Sequence, residues 1–201
     1  MTLPQLRTHL IRHRPLQQAP EEPMAWASVA LLIRPSPTGP ELLFMERSTS
    51  PHDPWSGHMA FPGGRRDPED GSLIVTAVRE TLEEIGVDLN QDGEVIGHLG
   101  DLRAIGRGKR LPLLIRPHVF LLNSAPLVIP NHEVADTLWA PLSTVLDPAN
   151  DRPYHPPGVA GPAGYPALPL GDKRVWGLTY EMLRSLRQAL EGQPSAERRT
   201  T

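Results

Sequence analysis

The chain has no cysteine among its 201 residues. Disulfides and thiolate metal sites are therefore excluded, hard metals bound through oxygen stay open, and a reducing cytoplasm is the natural fit. It has no large excess of one charge either. Its 20 Lys and Arg stand against 23 Asp and Glu, for a net charge of −3 and a sequence pI near 6.2. Nothing global draws such a chain to nucleic acid or to an anionic membrane. No apolar run approaches the length of a bilayer span, and no signal-peptide core stands near the start. The expectation is a soluble cytoplasmic protein without nucleic-acid or membrane partners. Internal repeats are absent as well. The length suits one domain, and monomer and homodimer both stay open.

Proline is abundant, with 24 residues, 16 of them crowded into positions 15–40, 112–130 and 153–169. Within 153–171, ten of nineteen positions are Pro or Gly, which predicts a long loop. Leu3, Leu6 and Leu10 have helical spacing before Pro15. Residues 25–33 form a nearly continuous apolar run suited to a buried strand, and 41–46 reads as a second strand paired with it. More strands are expected at 94–99, 115–122 and 134–139. Pro141 is placed to open a short helix. Leu178, Met182, Leu183, Leu186 and Leu190 give 176–190 an amphipathic helix, with Trp176 in the core. This mixture lacks a strict βαβ rhythm. The fold class expected is α/β (α+β), a mixed sheet covered by helices on both sides.

The most informative stretch is 73–85, which carries Glu80, Glu83 and Glu84 within little more than one helical turn. Phe61, Pro62, Gly63 and Gly64 lead toward it, Asp70 or Ser72 is placed to cap it, and Gly86 ends it. At 100° per residue the three carboxylates share about a third of the circumference. Ile74, Val78 and Ile85 gather on the other side, where they can face a core. Like charges three and four apart repel by a few tenths of a kcal/mol per pair. A helix that accepts this twice is a candidate for gripping a hard divalent cation through oxygen.

Gly64 and then Arg79-Glu80-Thr81-Leu82-Glu83-Glu84-Ile85-Gly86-Val87 resemble the signature of the Nudix hydrolases. Thr81 stands where an aliphatic residue is usual. The interval from Gly64 to Arg79 is one residue longer than the general pattern, and Asp70 and Gly71 straddle the place of its first glutamate. That longer interval is a mark of the coenzyme A pyrophosphatase branch. Leu42, Leu43, Arg47, Ser48, Gly57, Phe61, Pro62, Gly63 and Gly64 resemble the upstream motif of the same branch. Phe44 and His52 depart from it, at usual threonine and arginine positions.

The resemblance covers about residues 24–190. It implies a single Nudix domain over 1–201, built as an α/β/α sandwich. It further implies hydrolysis of the diphosphate in coenzyme A or its derivatives to phosphopantetheine and adenosine 3′,5′-bisphosphate, assisted by Mg²⁺ or Mn²⁺. ADP-ribose or a nucleoside diphosphate sugar is the alternative substrate, and a non-catalytic ligand-binding domain is a third reading. Glu80, Glu83 and Glu84 are then the metal ligands, with the carbonyl of Gly64 or Gly63 beside them. Arg79 orients a neighbouring glutamate, and Glu80 and Glu133 are both candidates for activating water. Substrate contacts are expected from Arg47, Ser48, His52, Phe61 and Gly63. Arg103 and Arg107, in a basic loop with Lys109 and Arg110, are expected to meet phosphates. Stacking aromatics are not interleaved with these charges, which argues against nucleic acid. His58 and His118 lack a second histidine at ligand spacing and read as structural.

Overall fold

One doubly buried strand sets the architecture, because residues 25–34 present apolar side chains to both of its faces. The computed structural model describes residues 1–15, 24–51, 53, 55–106, 108–157, 159 and 163–191. In chain order the elements begin with α1 (Leu3–Arg12), β1 (Ala25–Arg34), β2 (Glu41–Arg47), β3 (Met59–Ala60), β4 (Gly63–Arg65) and α2 (Leu73–Ile85). Then come α3 (Leu89–Asp92), β5 (Gly93–His98), β6 (Leu102–Gly106), β7 (Lys109–Leu122), β8 (Val134–Pro141) and α4 (Leu142–Leu146). Strands β9 (Arg152–Tyr154), β10 (Tyr165–Leu170) and β11 (Lys173–Trp176) precede α5 (Gly177–Glu191).

Strands β1 to β8 make one mixed sheet, ordered β3-β2-β1-β7-β5 along its main path. The β1–β7 pair is parallel, whereas β4 pairs antiparallel with β1 and sets Gly64 opposite Ser28. Alternation along β1 divides the core. Ala30 and Leu32 join Leu43, Met45, Ala77 and Ile85 under α2, while Leu31 and Ile33 join Leu6, Leu10, Leu183 and Leu186 under α1 and α5. Each fully buried aliphatic side chain contributes roughly 1.5–3 kcal/mol, so both helical layers are tied to the sheet. The result is the expected α/β/α sandwich.

Three sequence expectations need correction. First, the Pro- and Gly-rich region is not all loop, since β9, β10 and β11 form a small antiparallel sheet. It tolerates proline in its middle strand because Pro166 has a neighbour strand only on the β9 side and Pro169 only on the β11 side. Second, the basic segment is a hairpin of β6 and β7, and β7 begins at Lys109, before the expected start at 115. A register irregularity between Arg103 and Ile105 accommodates Pro112 on the facing strand. Third, Trp176 ends β11 and is half-buried, so it does not belong to the helix that starts at Gly177.

Candidate active site

Helix α2 is capped by Ser72, whose hydroxyl accepts from the Val75 N–H at 3.4 Å, and it ends where Gly86 turns left-handed at φ 71°. Its buried face is Thr76, Ala77, Thr81, Glu84 and Ile85. Ile74, expected to face the core, is 39% exposed, and Val75 and Leu82 are exposed with it. The reason is steric. Small residues at 77 and 81 let the helix approach β1 and β4 closely, and that approach carries Glu84 inward. Thr81 fills the usual aliphatic slot without an orphaned hydroxyl, because its Oγ1 donates to the Ala77 carbonyl at 2.7 Å.

The two glycines that open β4 are required by contact. A Cβ on Gly63 would stand 2.2 Å from the Ser28 carbonyl oxygen, and its φ of 148° is disfavoured for other residues. A Cβ on Gly64 would stand 2.4 Å from Glu80 Oε1. The Gly63 N–H donates to Glu84 Oε2 at 2.8 Å. Glu84 is only 3% exposed. Burial pushes its carboxyl up to about 8, the charges of Glu80 and Glu133 add to that, and the Gly63 N–H and Arg47 oppose it. Burial also raises Glu80, against the pull of Arg79.

Arg79 is the hub of the exposed side. Its Nη1 donates to Glu80 and Glu83, both at 3.0 Å, its Nε and Nη2 donate to Asp70 at 3.2 and 3.0 Å, and Nη2 also reaches the Arg65 carbonyl. Asp70 is buried, not a helix cap. It accepts from the Thr76 hydroxyl and the Asp67 N–H, and the Arg79 guanidinium holds it well below the usual carboxylate range. Sequence reasoning missed this role. The available signal was its position, one residue from the place of the missing first glutamate.

A strap formed by residues 129–133 brings in the last acid. The Ile129 N–H donates to the Ile85 carbonyl at 2.9 Å and the Asn131 N–H to the Glu84 carbonyl at 2.8 Å, so the strap is bonded to the final turn of α2. At its other end, the Ser48 N–H donates to the Glu133 carbonyl and the Ser48 hydroxyl to that of His132. Arg47, Phe61, Gly63, Gly64, Glu80, Glu83, Glu84 and Glu133 line one cavity of about 530 Å³. Arg47 Nη1 lies 4.0 Å from Glu84, and its Nε is bound to Asp53 at 2.7 Å. Phe61 is buried and stacks on Phe44, with ring centroids 5.2 Å apart.

Not every expected residue converges there. Ser48 is behind the wall, holding the strap. Arg103 is not part of the lining, since it points its Nε to the Leu111 carbonyl within the hairpin. His52 and Arg107 lie outside the described residues. His118 is buried against the Ser28 hydroxyl at 2.9 Å and is held down to about 4 by burial, in keeping with a structural role. His58, by contrast, reaches the cavity wall. Sequence reasoning also missed Arg65, Leu113, Ile115, Trp176 and Met182, which line the same space but sit on four separate segments.

The donors fit a hard divalent cation. The groups are all oxygen, Glu84 is a buried carboxylate with little cationic compensation, and the Gly64 cradle holds Glu80 where any larger residue would displace it. Among the described residues no three acidic or imidazole side chains are close enough to enclose an ion alone. A complete shell therefore calls for main-chain and substrate oxygens as well.

A three-layer sandwich whose acidic helix lies against a Gly-Gly strand is the Nudix architecture. The NUDIX domain matches residues 24–160, and the chain belongs to that family. It is 43% identical over 93 residues to the peroxisomal coenzyme A diphosphatase ndx-8 of Caenorhabditis elegans, over 45% of this chain and 38% of that protein. It is 32% identical over 142 residues to the mitochondrial coenzyme A diphosphatase NUDT8 of Mus musculus, over 70% of this chain and 66% of that one. The chain thus spans less than half the length of the worm protein. A solved Ap4A hydrolase of C. elegans shares the fold with a TM-score of 0.51 and 23% identity, over 61% of this chain and 83% of that one. Among the described residues no helix is long and apolar enough to cross a membrane.

Proposed function

We propose that this chain hydrolyses the diphosphate bond of coenzyme A or a coenzyme A derivative, releasing phosphopantetheine and adenosine 3′,5′-bisphosphate. The observation that carries the reading is the buried Glu84 carboxylate, bonded to Gly63 and sharing one cavity with Glu80 and Glu133. Names of the relatives supply the substrate class, and the Arg47–Ser48 to Gly64 motif supports it. Glu80, Glu84 and the Gly64 carbonyl would hold Mg²⁺ or Mn²⁺, with Glu83 as a third or water-bridged ligand. Such ions neutralise phosphate charge and lower the pKa of bound water.

The chain's own groups do the rest. Arg79 fixes the rotamers of Glu80 and Glu83 through paired hydrogen bonds. Arg47 and Arg65 offer positive charge along the cavity wall toward the diphosphate. Glu133, whose main chain is held by Ser48, would take a proton from the attacking water, and Glu80 is the competing candidate. Chromatography of products after incubation with coenzyme A, ADP-ribose and Mg²⁺ tests the reading. Adenosine 3′,5′-bisphosphate from coenzyme A is the expected product, and preferential turnover of ADP-ribose would replace this substrate assignment.

A further inference from the structure

Next to the acidic cavity lies a second one of about 360 Å³. Glu46, the 56–59 loop, Tyr154, Pro156 and Pro157 wall it on one side, and Lys173, Arg174 and Trp176 of β11 on the other. His58, Met59 and Trp176 belong to both walls. Trp176 is the partition. Its ring meets His58 at 4.6 Å, and Tyr154 and Tyr165 at 5.8 Å each, between centroids. That cluster fixes the indole in place between the two spaces.

Two cations, Lys173 and Arg174, and two anions, Glu46 and Asp172, line this second space, so its formal charge sums to zero. Lys173 is ion-paired with Glu46 and has Asp136 at 3.8 Å. Arg174 Nη1 is turned onto the Gly171 and Lys173 carbonyls, and Asp172 stands beside it. Between these charged groups the wall is aromatic and proline surface with neutral polar groups from Ser56, His58 and Tyr154. A phosphate needs uncompensated cations and charge-assisted donors, and this lining offers few. An uncharged arm with amides and methyl groups matches it, because its amides can bond the many polar groups of the wall while its methyl groups rest on the Trp176, Tyr154 and proline surface.

We propose that the cavity behind Trp176 is a second chamber of the substrate site, which receives the uncharged, amide-bearing arm beyond the diphosphate. On the coenzyme A reading, from which the identity of the arm follows, that arm is pantetheine. The phosphate-rich half stays on the side of Arg47 and Arg65. Trp176, Tyr154 and Pro157 then decide which diphosphates bind well, without touching the bond that breaks.

Pantetheine alone and adenosine 3′,5′-bisphosphate alone are the probes, each followed by saturation-transfer NMR on the metal-free protein. Transfer to the pantetheine methyl groups is expected in the wild type. Filling the chamber with Pro157→Phe, at an exposed position, abolishes that transfer, and adenosine 3′,5′-bisphosphate keeps its own. In the Mg²⁺-loaded enzyme the same variant raises KM for coenzyme A about tenfold, more than it lowers kcat. Tyr154→Ala repeats the test if the first variant folds poorly. Undiminished pantetheine transfer in the filled variant overturns the proposal, as does loss of the adenosine bisphosphate signal in its place. Absence of coenzyme A hydrolysis by the wild type would defeat the functional reading instead, and pantetheine binding would still judge the chamber.

Discussion

Arg79 and Arg187 each grip an aspartate, yet the two clusters end in opposite electrical states. Arg187, 8% exposed, gives Asp151 two bonds at 2.6 and 3.0 Å and gives its Nε to the Val145 carbonyl, while the Tyr180 hydroxyl donates to Asp151 at 2.8 Å. One cation meets one anion, and α5 is fastened to the turn that follows α4. Around Arg79, one cation answers Asp70, Glu80 and Glu83 together, and Glu84 behind them has Arg47 only at 4.0 Å. Negative charge is left over. A buried Arg–Asp pair therefore marks structure where the charges cancel and a site where they do not.

Glu84→Gln strikes hardest at this contrast. Turnover in the product assay should fall at least about a thousandfold, because the charge that would hold metal is gone. The fold should survive, with a urea midpoint close to that of the wild type, since Gln keeps the shape and burial already leaves Glu84, pushed up to about 8, largely neutral at pH 7 when no ion is bound. Full activity in this variant would take Glu84 out of the site. Arg187→Ala should do the reverse. It leaves Asp151 without its cation and costs about 3 kcal/mol of stability in urea titration, with kcat per folded molecule retained. If the loss appears in kcat and not in stability, the two clusters have been assigned the wrong way round.

Gly64→Ala sharpens the comparison from the side of shape. The new methyl must push the Glu80 carboxylate away, and a displacement on that scale should cost about a hundredfold in kcat/KM. An alanine variant with normal kinetics would show that Glu80 needs no fixed position. The smallest effect concerns His118, neutral and buried away from both clusters. Its folded pKa of about 4 lies below its ordinary value near 6.5, so the unfolded chain binds the extra proton first. Stability is full above pH 6.5 and declines as pH falls toward 4, by about 2 kcal/mol at pH 4.5. Urea midpoints across that range should fall less steeply in His118→Asn, and identical slopes would remove His118 as the cause.

Much of the sandwich was legible because its signals are local. The apolar run of β1, the helical period of α2 and α5, and the glycine at 86 each carry their own physics. The face of α2 was less legible. Ile74 reads as core by hydrophobicity, but the helix is seated by Ala77 and Thr81, because what it must bury is a carboxylate. Proline density hid the β9–β11 sheet, since the stagger that excuses Pro166 and Pro169 exists only between paired strands. The three glutamates of α2 were visible as a spacing. Asp70, Arg65 and Trp176 were not, because their meaning lies in neighbours brought from elsewhere in the chain.

The strap at 129–133 has a mechanical consequence. Its main chain is stitched to the carbonyls of Glu84 and Ile85, so it takes up the hydrogen-bonding capacity that a helix end normally offers to water. Any thermal sway of that helix must drag the strap along. Glu133 and Glu84, remote in the chain, therefore share one main-chain scaffold, and the spacing of their backbones is kept by hydrogen bonds between peptide groups.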